Sequence, residues 1–277
     1  MRRLRKLATI LAAIFLIAIA YRVLGVYRFR SGECSARPTR AFAPTYPKRL
    51  VVMTYNIEGH AELLKPHHIE EIARTIVRYH PDVVAINEAH RRTWQVRFGD
   101  QLEELRRLTH MNGAFGRSYR FIGGDFGNAV LTRGNIVRSD IHDLPGTGEP
   151  RAIFESVVSV NGGVIDFYVA HLSAWGGVNA KTRDQQLQCV ADHVRASEHP
   201  FILAGDLNAA PDAEEVQKFL RLGIVYEALA TPAPTHKVMN KQLDHILLNH
   251  GWRVVSARVL DEGPSDHRPV LVELAAP

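Results

Sequence analysis

The chain has 277 residues, 46% of them hydrophobic and 23% charged, which is an ordinary globular composition with enough apolar content for a large core. Its net charge of +5 misleads, because residues 1–49 hold 11 Lys/Arg against the single Glu33, leaving 23 basic and 28 acidic residues in 50–277. A folded part built as a general polyanion binder is thereby excluded.

Arg2, Arg3, Arg5 and Lys6 precede an uncharged run from Leu7 to Tyr21. That run rises roughly 22 Å as a helix, and extension to Val26 with Arg22 snorkelling would span a bilayer, while Ala18-Ile19-Ala20 fits a cleavage site. Residues 1–26 therefore read as a signal anchor or a signal peptide. The domain is expected outside the cytoplasm, membrane-anchored, or secreted if the leader is cleaved. Residues 27–49, with Pro38, Pro44 and Pro47, read as a linker. Cys34 lies in that linker and Cys189 in a helical stretch; two unpaired cysteines are expected, since a disulfide would have to tie linker to domain.

The folded domain is expected over 50–277. Leu50–Tyr55 and Asp82–Asn87 read as buried strands around a helix, Ile69–Tyr79, that puts Ile69, Ile72, Ala73, Ile76 and Val77 on one face. Trp94–Leu108 reads as a second helix; the cluster Arg91, Arg92, Arg97, Arg106, Arg107, Arg117 and Arg120, interrupted by Asp100, Glu103 and Glu104, reads as a solvated face with i,i+4 pairs ahead of a binding patch, the competing reading being a local backbone groove or stacking surface from Arg91, Arg92, Arg97 and Trp94. Asn128–Thr132 follows as a strand, and Ile153–Val160 with Val164–His171 as a hairpin turned at Asn161-Gly162-Gly163. Arg183–Ala196 is a helix, Phe201–Leu207 a buried strand, and Gln242–Leu248, Arg253–Val259 and Pro269–Leu274 are three more strands. Mixed strands with outer helices predict an α/β sandwich.

Several strand-like runs end on polar residues: Tyr55-Asn56-Ile57, Asn87-Glu88, Gly205-Asp206-Leu207-Asn208, Leu243-Asp244-His245 and Ser265-Asp266-His267. One such ending is an ordinary turn, but five in one chain suggest a divalent-metal phosphoesterase site. Hydrolysis of a phosphoester needs a cation for the phosphate oxygens, a base for water and donors for developing charge. Glu88 and Asp266 are the candidate ligands for Mg²⁺ or Mn²⁺, which take oxygen donors. Asp206 and Asn208, two apart, point to one face of an extended segment and suit water and phosphate; the competing role for Asn208 is a cap on the helix that follows. Asp244 is placed to orient His267 for activating water or stabilising phosphate. His171 is a phosphate donor and Arg151 a bidentate phosphate contact, the latter competing with a salt bridge to Glu149 or Glu155. His245 should face away from Asp244. No Walker loop, Gly-x-Ser-x-Gly elbow or Cys-x-x-Cys is present, which discounts nucleoside-triphosphatase, serine-hydrolase and zinc-finger readings.

These residues resemble the endonuclease/exonuclease/phosphatase superfamily, which includes pancreatic-type deoxyribonucleases, apurinic endonucleases, neutral sphingomyelinases and inositol polyphosphate 5-phosphatases. The motifs stand in family order: Met53–Ile57, Pro81–Glu88, Gly127–Arg133, Pro150-Arg151-Ala152, Ala170-His171-Leu172, Gly205–Asn208, Gln242–Leu247 and Ser265–Pro269. The resemblance implies a four-layer αββα sandwich with the site at one rim. It implies that Asn56 and Glu88 bind or position metal, that Asp266 completes the metal site, that Asp206 and Asn208 handle water and phosphate, and that Asp244 orients His267. Asn87 stands where many members carry Gln, and His171 stands where apurinic endonucleases carry Tyr, which argues against abasic-site repair. The expected protein is a monomeric hydrolase acting on nucleic acid or on a phospholipid or other small phosphoester, attached to the membrane through its N-terminal segment. A catalytically inactive phosphate- or partner-binding module is the alternative from a different class.

Overall fold

The computed structural model describes residue 34 and residues 45–146, 148–174 and 176–277. The leader, the cleavage site and most of the linker lie outside the described residues, and no described helix is long and apolar enough to cross a membrane. Among the described residues, twelve strands form two sheets of six. The first contains β1 (Arg49–Asn56), β2 (Val83–Arg91), β3 (Asn112–Phe121), β4 (Gly124–Thr132), β11 (Arg253–Val259) and β12 (Val270–Ala275), in the order β11-β12-β1-β2-β4-β3. The second contains β5 (Asn135–Leu144), β6 (Arg151–Val160), β7 (Gly163–His171), β8 (Phe201–Asp206), β9 (Tyr226–Glu227) and β10 (Asp244–Leu248), in the order β5-β6-β7-β8-β10-β9. Helices α1 (His68–Tyr79) and α2 (Gln101–Thr109) flank the first sheet, and α3 (Gly176–Arg195) and α4 (Glu214–Arg221) flank the second.

Three apolar layers hold this αββα sandwich together. Val52, Val83 and Val130 of the first sheet meet Phe167, Ile202 and Ile246 of the second between the sheets. Ile69, Ile72, Ala73 and Ile76 of α1 are buried against the outer face of the first sheet, and Leu187, Val190 and Val194 of α3 against that of the second. Val77, expected on the buried face, is 38% exposed, at the edge of the stripe.

The predicted helix from Trp94 is broken. Trp94–Val96 forms a single 3₁₀ turn, and α2 begins only at Gln101, where the Asp100 carboxylate accepts from Glu103 N. Its arginines pair at i,i+3 with Glu103 and Glu104, as a solvated helix face should. The folded part also begins before Leu50: Thr45 O accepts from Val164 N, and Tyr46 packs edge-on against Trp252 with ring centroids 4.9 Å apart. The cysteines are paired, contrary to expectation. Cys34 and Cys189, with Cα atoms 5.3 Å apart, form a disulfide that ties the linker to α3.

Candidate active site at the sheet rim

Strand register gathers the site. Asn56 and Asn87 are neighbours across the parallel pair β1–β2. In the second sheet His171 of β7 lies beside Asp206 of β8, and Asp206 lies opposite Asp244 of β10. β1, β2, β7 and β8 all end at this rim, where the carboxyl ends of parallel strands leave a crevice. Gly205 is required by that register: at its φ of 137° an added Cβ would meet Ala170 O at 2.0 Å.

A β-bulge aims Glu88. Pairing of β2 with β4 slips between Ile86 and Ala89, and Glu88 takes a left-handed φ of 63°. Asn56 Nδ2 then donates to Glu88 Oε1 and to Asp206 Oδ2, both at 3.1 Å, while Asn56 Oδ1 accepts from Glu58 N. Asn56 therefore bridges the two acids through its amide nitrogen, while its oxygen accepts a single backbone bond.

Two imidazoles converge on the same oxygen of Asp206. His171 Nε2 is 3.6 Å and His267 Nε2 3.8 Å from Asp206 Oδ2, and His171 Nε2 is 4.0 Å from Glu88 Oε1. His267 Nδ1 bonds Asp244 Oδ2 at 2.7 Å. Burial opposes charge on His267, but the Asp244 carboxylate, aided by Asp206 and Asp266, pushes its pKa up to about 10. A ring held charged suits stabilisation of phosphate rather than removal of a proton from water. His171 behaves oppositely. Burial, with the charges of Arg151 and His267, holds it well below the usual histidine range. Arg151 donates to its Nδ1 at 2.8 Å, so the neutral ring carries its proton on Nε2, facing the acids.

Arg151 was expected to grip phosphate with both arms. The competing salt bridge is present: Arg151 pairs with Glu149 at 3.2 Å and bonds His171 through another nitrogen, and its side chain borders the cleft. Asn208 is no helix cap: α4 starts at Glu214 after Ala213, and Asn208 Nδ2 donates to Leu172 O while its backbone N donates to Asp206 Oδ1. His245 turns away, as expected, to Glu227 and Ala209 O.

Burial and the Asp244 charge push Asp206 up to about 7, against the pull of His267 and the bonds from Asn208 and Asn56. Burial raises Glu88 as well, against Asn56 and Arg151. Two carboxyls that resist ionisation in a cleft of about 590 Å³ also bordered by Asp266 fit a divalent cation, whose charge would favour both anions. The Asp266 carboxylate groups with His236 and His267, and His236 Nε2 is 3.8 Å from Asp266 Oδ2.

The sequence profile of the Endonuclease/Exonuclease/phosphatase family matches residues 53–267. The chain belongs to that family. Solved structures agree in fold. An endonuclease/exonuclease/phosphatase from Beutenbergia cavernae is 24% identical with a TM-score of 0.71, covering 83% of this chain and 72% of its own. The human Nocturnin catalytic domain with bound sulfate is 22% identical, TM-score 0.68, covering 88% and 100%. A mannosyl-6-phosphatase from Bacteroides thetaiotaomicron is 20% identical, TM-score 0.63, covering 82% and 99%. Among curated proteins no sequence matches.

Three residues of this family member escaped the sequence reading. His60 Nδ1 lies 3.9 Å from Glu88 Oε2, and its only signal was nearness to the Asn56 motif. His236 borders the cleft, its Nδ1 accepting from Val238 N and Met239 N, so that Nε2 carries the proton. It gave no signal, because a loop of its own brings it to His267, with ring centroids 4.7 Å apart. Asn128, within a quoted motif but given no role, accepts from Asn87 Nδ2 at 2.9 Å and donates to Ala152 O at 3.2 Å.

Proposed function

We propose that the protein is a divalent-metal-dependent phosphoester hydrolase that cuts a P–O bond by in-line attack of water. The observation that carries this reading is Asp206: a buried carboxyl with a pKa near neutrality, its Oδ2 faced by the Nε2 atoms of two histidines of opposite protonation. A base poised near the working pH both holds and releases a proton readily.

Glu88 and Asp266 would hold Mg²⁺ or Mn²⁺, which when bound supplies charge neutralisation for the phosphate oxygens. Asp206 takes the proton of the attacking water. The His267 imidazolium, fixed by Asp244, and the His171 Nε2–H stabilise charge on the phosphate oxygens, with His171 held in tautomer by Arg151. Asn208 fixes the Asp206 carboxylate through its backbone N–H.

The substrate class is a phosphodiester or phosphomonoester, in nucleic acid or in a phospholipid or small molecule; the human Nocturnin catalytic domain binds sulfate in its structure, and a Bacteroides relative in fold is a mannosyl-6-phosphatase. For the location we favour the domain 50–277 held outside the cytoplasm by residues 1–26. The Cys34–Cys189 disulfide supports this, because such bonds persist in oxidising compartments. The experiment is phosphate or phosphodiester release from plasmid DNA, sphingomyelin-type lipid and sugar or inositol phosphates, with Mg²⁺, Mn²⁺ or EDTA. Metal-dependent release from one class supports the reading; a folded, metal-binding protein silent on all of them returns the fold to the role of a phosphate-binding module.

A further inference from the structure

The loop after Glu88 builds a surface that the cleft chemistry does not use. Arg92, Arg97 and Phe98 have φ of 57°, 51° and 64°, the left-handed region that bulky residues seldom occupy. Three such residues within seven positions hold the loop in a strained shape, which folds retain where the shape serves a purpose. Backbone bonds fix it: Phe98 N to Thr93 O at 2.8 Å and Trp94 N to Ile122 O at 3.3 Å. The outcome is display of apolar side chains. Trp94 is 41% exposed and Phe98 65%, and next to them, on the turn between β3 and β4, Ile122 is 50% exposed. The Phe98 ring lies against Gly123, where an added Cβ would sit 3.1 Å from Cε1. Arg97 reaches Leu63 O at 3.5 Å, and the following Leu64 is 84% exposed.

Charge on this surface is selective. Arg91, Arg106, Arg107 and Arg117 each pair with an acid, Asp100, Glu103, Glu104 and Asp125 respectively. Arg92 and Arg97 are exposed and make no ion pair among the described residues. The surface also adjoins the cleft, because the 3₁₀ turn Gly59–Leu63 that Arg97 touches carries His60, which faces Glu88.

We propose that Leu64, Trp94, Phe98 and Ile122, with Arg92 and Arg97, dock the domain on an anionic phospholipid membrane and set the Glu88 side of the cleft at the interface. Aromatic rings and aliphatic tips flanked by arginines match a bilayer's boundary, where the rings enter the headgroup layer and the guanidinium groups meet lipid phosphates. Single-stranded nucleic acid fits less well, because Leu64 and Ile122 have no π-face on which a base could stack. No apolar insertion is needed, since short loops shared with the catalytic frame supply the contact. The proposal does not depend on what the cleft hydrolyses.

The test uses the full chain reconstituted in vesicles of phosphatidylcholine and phosphatidylglycerol carrying brominated acyl chains, with tryptophan fluorescence as readout. Local docking should quench a component that disappears in Trp94→Phe, so burial is read at the loop and not at the leader. Arg92→Gln with Arg97→Gln should reduce that quenching on anionic vesicles to its level on neutral ones, and Phe98→Ser with Ile122→Ser should reduce it without shifting Tm. Equal fractional loss of emission in wild type and Trp94→Phe, on going from unbrominated to brominated vesicles, would overturn the proposal. So would a single-stranded oligonucleotide that quenches Trp94 in detergent while vesicles do not; that outcome would assign the surface to base stacking.

Discussion

The 2.7 Å contact between His267 Nδ1 and Asp244 Oδ2 is buried at both ends, and the second oxygen of Asp244 has no hydrogen-bond partner among the described residues. The carboxylate is therefore committed to one task, fixing the ring's tautomer and charge. Asp244→Asn keeps the shape and removes the charge, so turnover should fall by about 10²–10⁴-fold. Substrate affinity should change little. Steady-state kinetics with kcat and KM separated decide it; a loss confined to KM would remove His267 from the chemistry.

Asp206 gives a prediction in which activity and stability move oppositely. Its folded pKa of about 7 lies above the ordinary aspartate value of 3.8, so in the metal-free protein its contribution to stability is greatest below 3.8 and is lost as pH rises through 7. Asp206→Asn should abolish turnover and raise the Tm of the metal-free protein at pH 8 relative to pH 5. A Tm lowered at both pH values would show that the carboxylate is structural.

Much of this was legible before the coordinates. Polar residues that end successive strands named Asp206, Asp244, His171 and His267, because register depends on strand ends and those carried their own signal. β3 and β5 were not legible: Gly113, Gly116 and the half-exposed positions of both strands blur the alternation. The bulge at Glu88 arises in the pairing with β4, and the amides of Asn87 and Asn56 are oriented by Asp206, 119 and 150 residues away in sequence, so no local pattern encodes them. The cysteine pairing failed for a similar reason, with 155 residues between the two thiols.

Asn87 is the strut between the sheets. Fully buried, it donates to Asn128 Oδ1 and Ala170 O and accepts from Asp206 N. Asn87→Ala leaves three buried groups unpaired and should cost about 3 kcal/mol, seen as a lower urea midpoint, with the Asp206 backbone freed as well. Asn87→Gln tests the geometry separately, since it restores the amide but lengthens the reach. Unchanged stability in both variants would show that the sandwich packing alone sets the distance between the sheets.

Metal binding should show a pH dependence of known sign. Burial raises Glu88 and brings Asp206 to about 7, so below neutrality protons compete with the cation for the cleft. The Tm increment from Mg²⁺ should therefore be small at pH 5.5, grow through 7 and vanish with EDTA. Glu88→Gln should lose most of it at every pH, because a neutral amide neither ionises nor offers full charge to a hard cation. His60, 3.9 Å from Glu88 Oε2, provides the control: His60→Gln alters the surroundings of the ligand but not the donor set, and should keep the increment. An increment retained in Glu88→Gln and lost in Asp266→Asn would shift the cation toward the His236, Asp266 and His267 cluster and away from the β2 bulge.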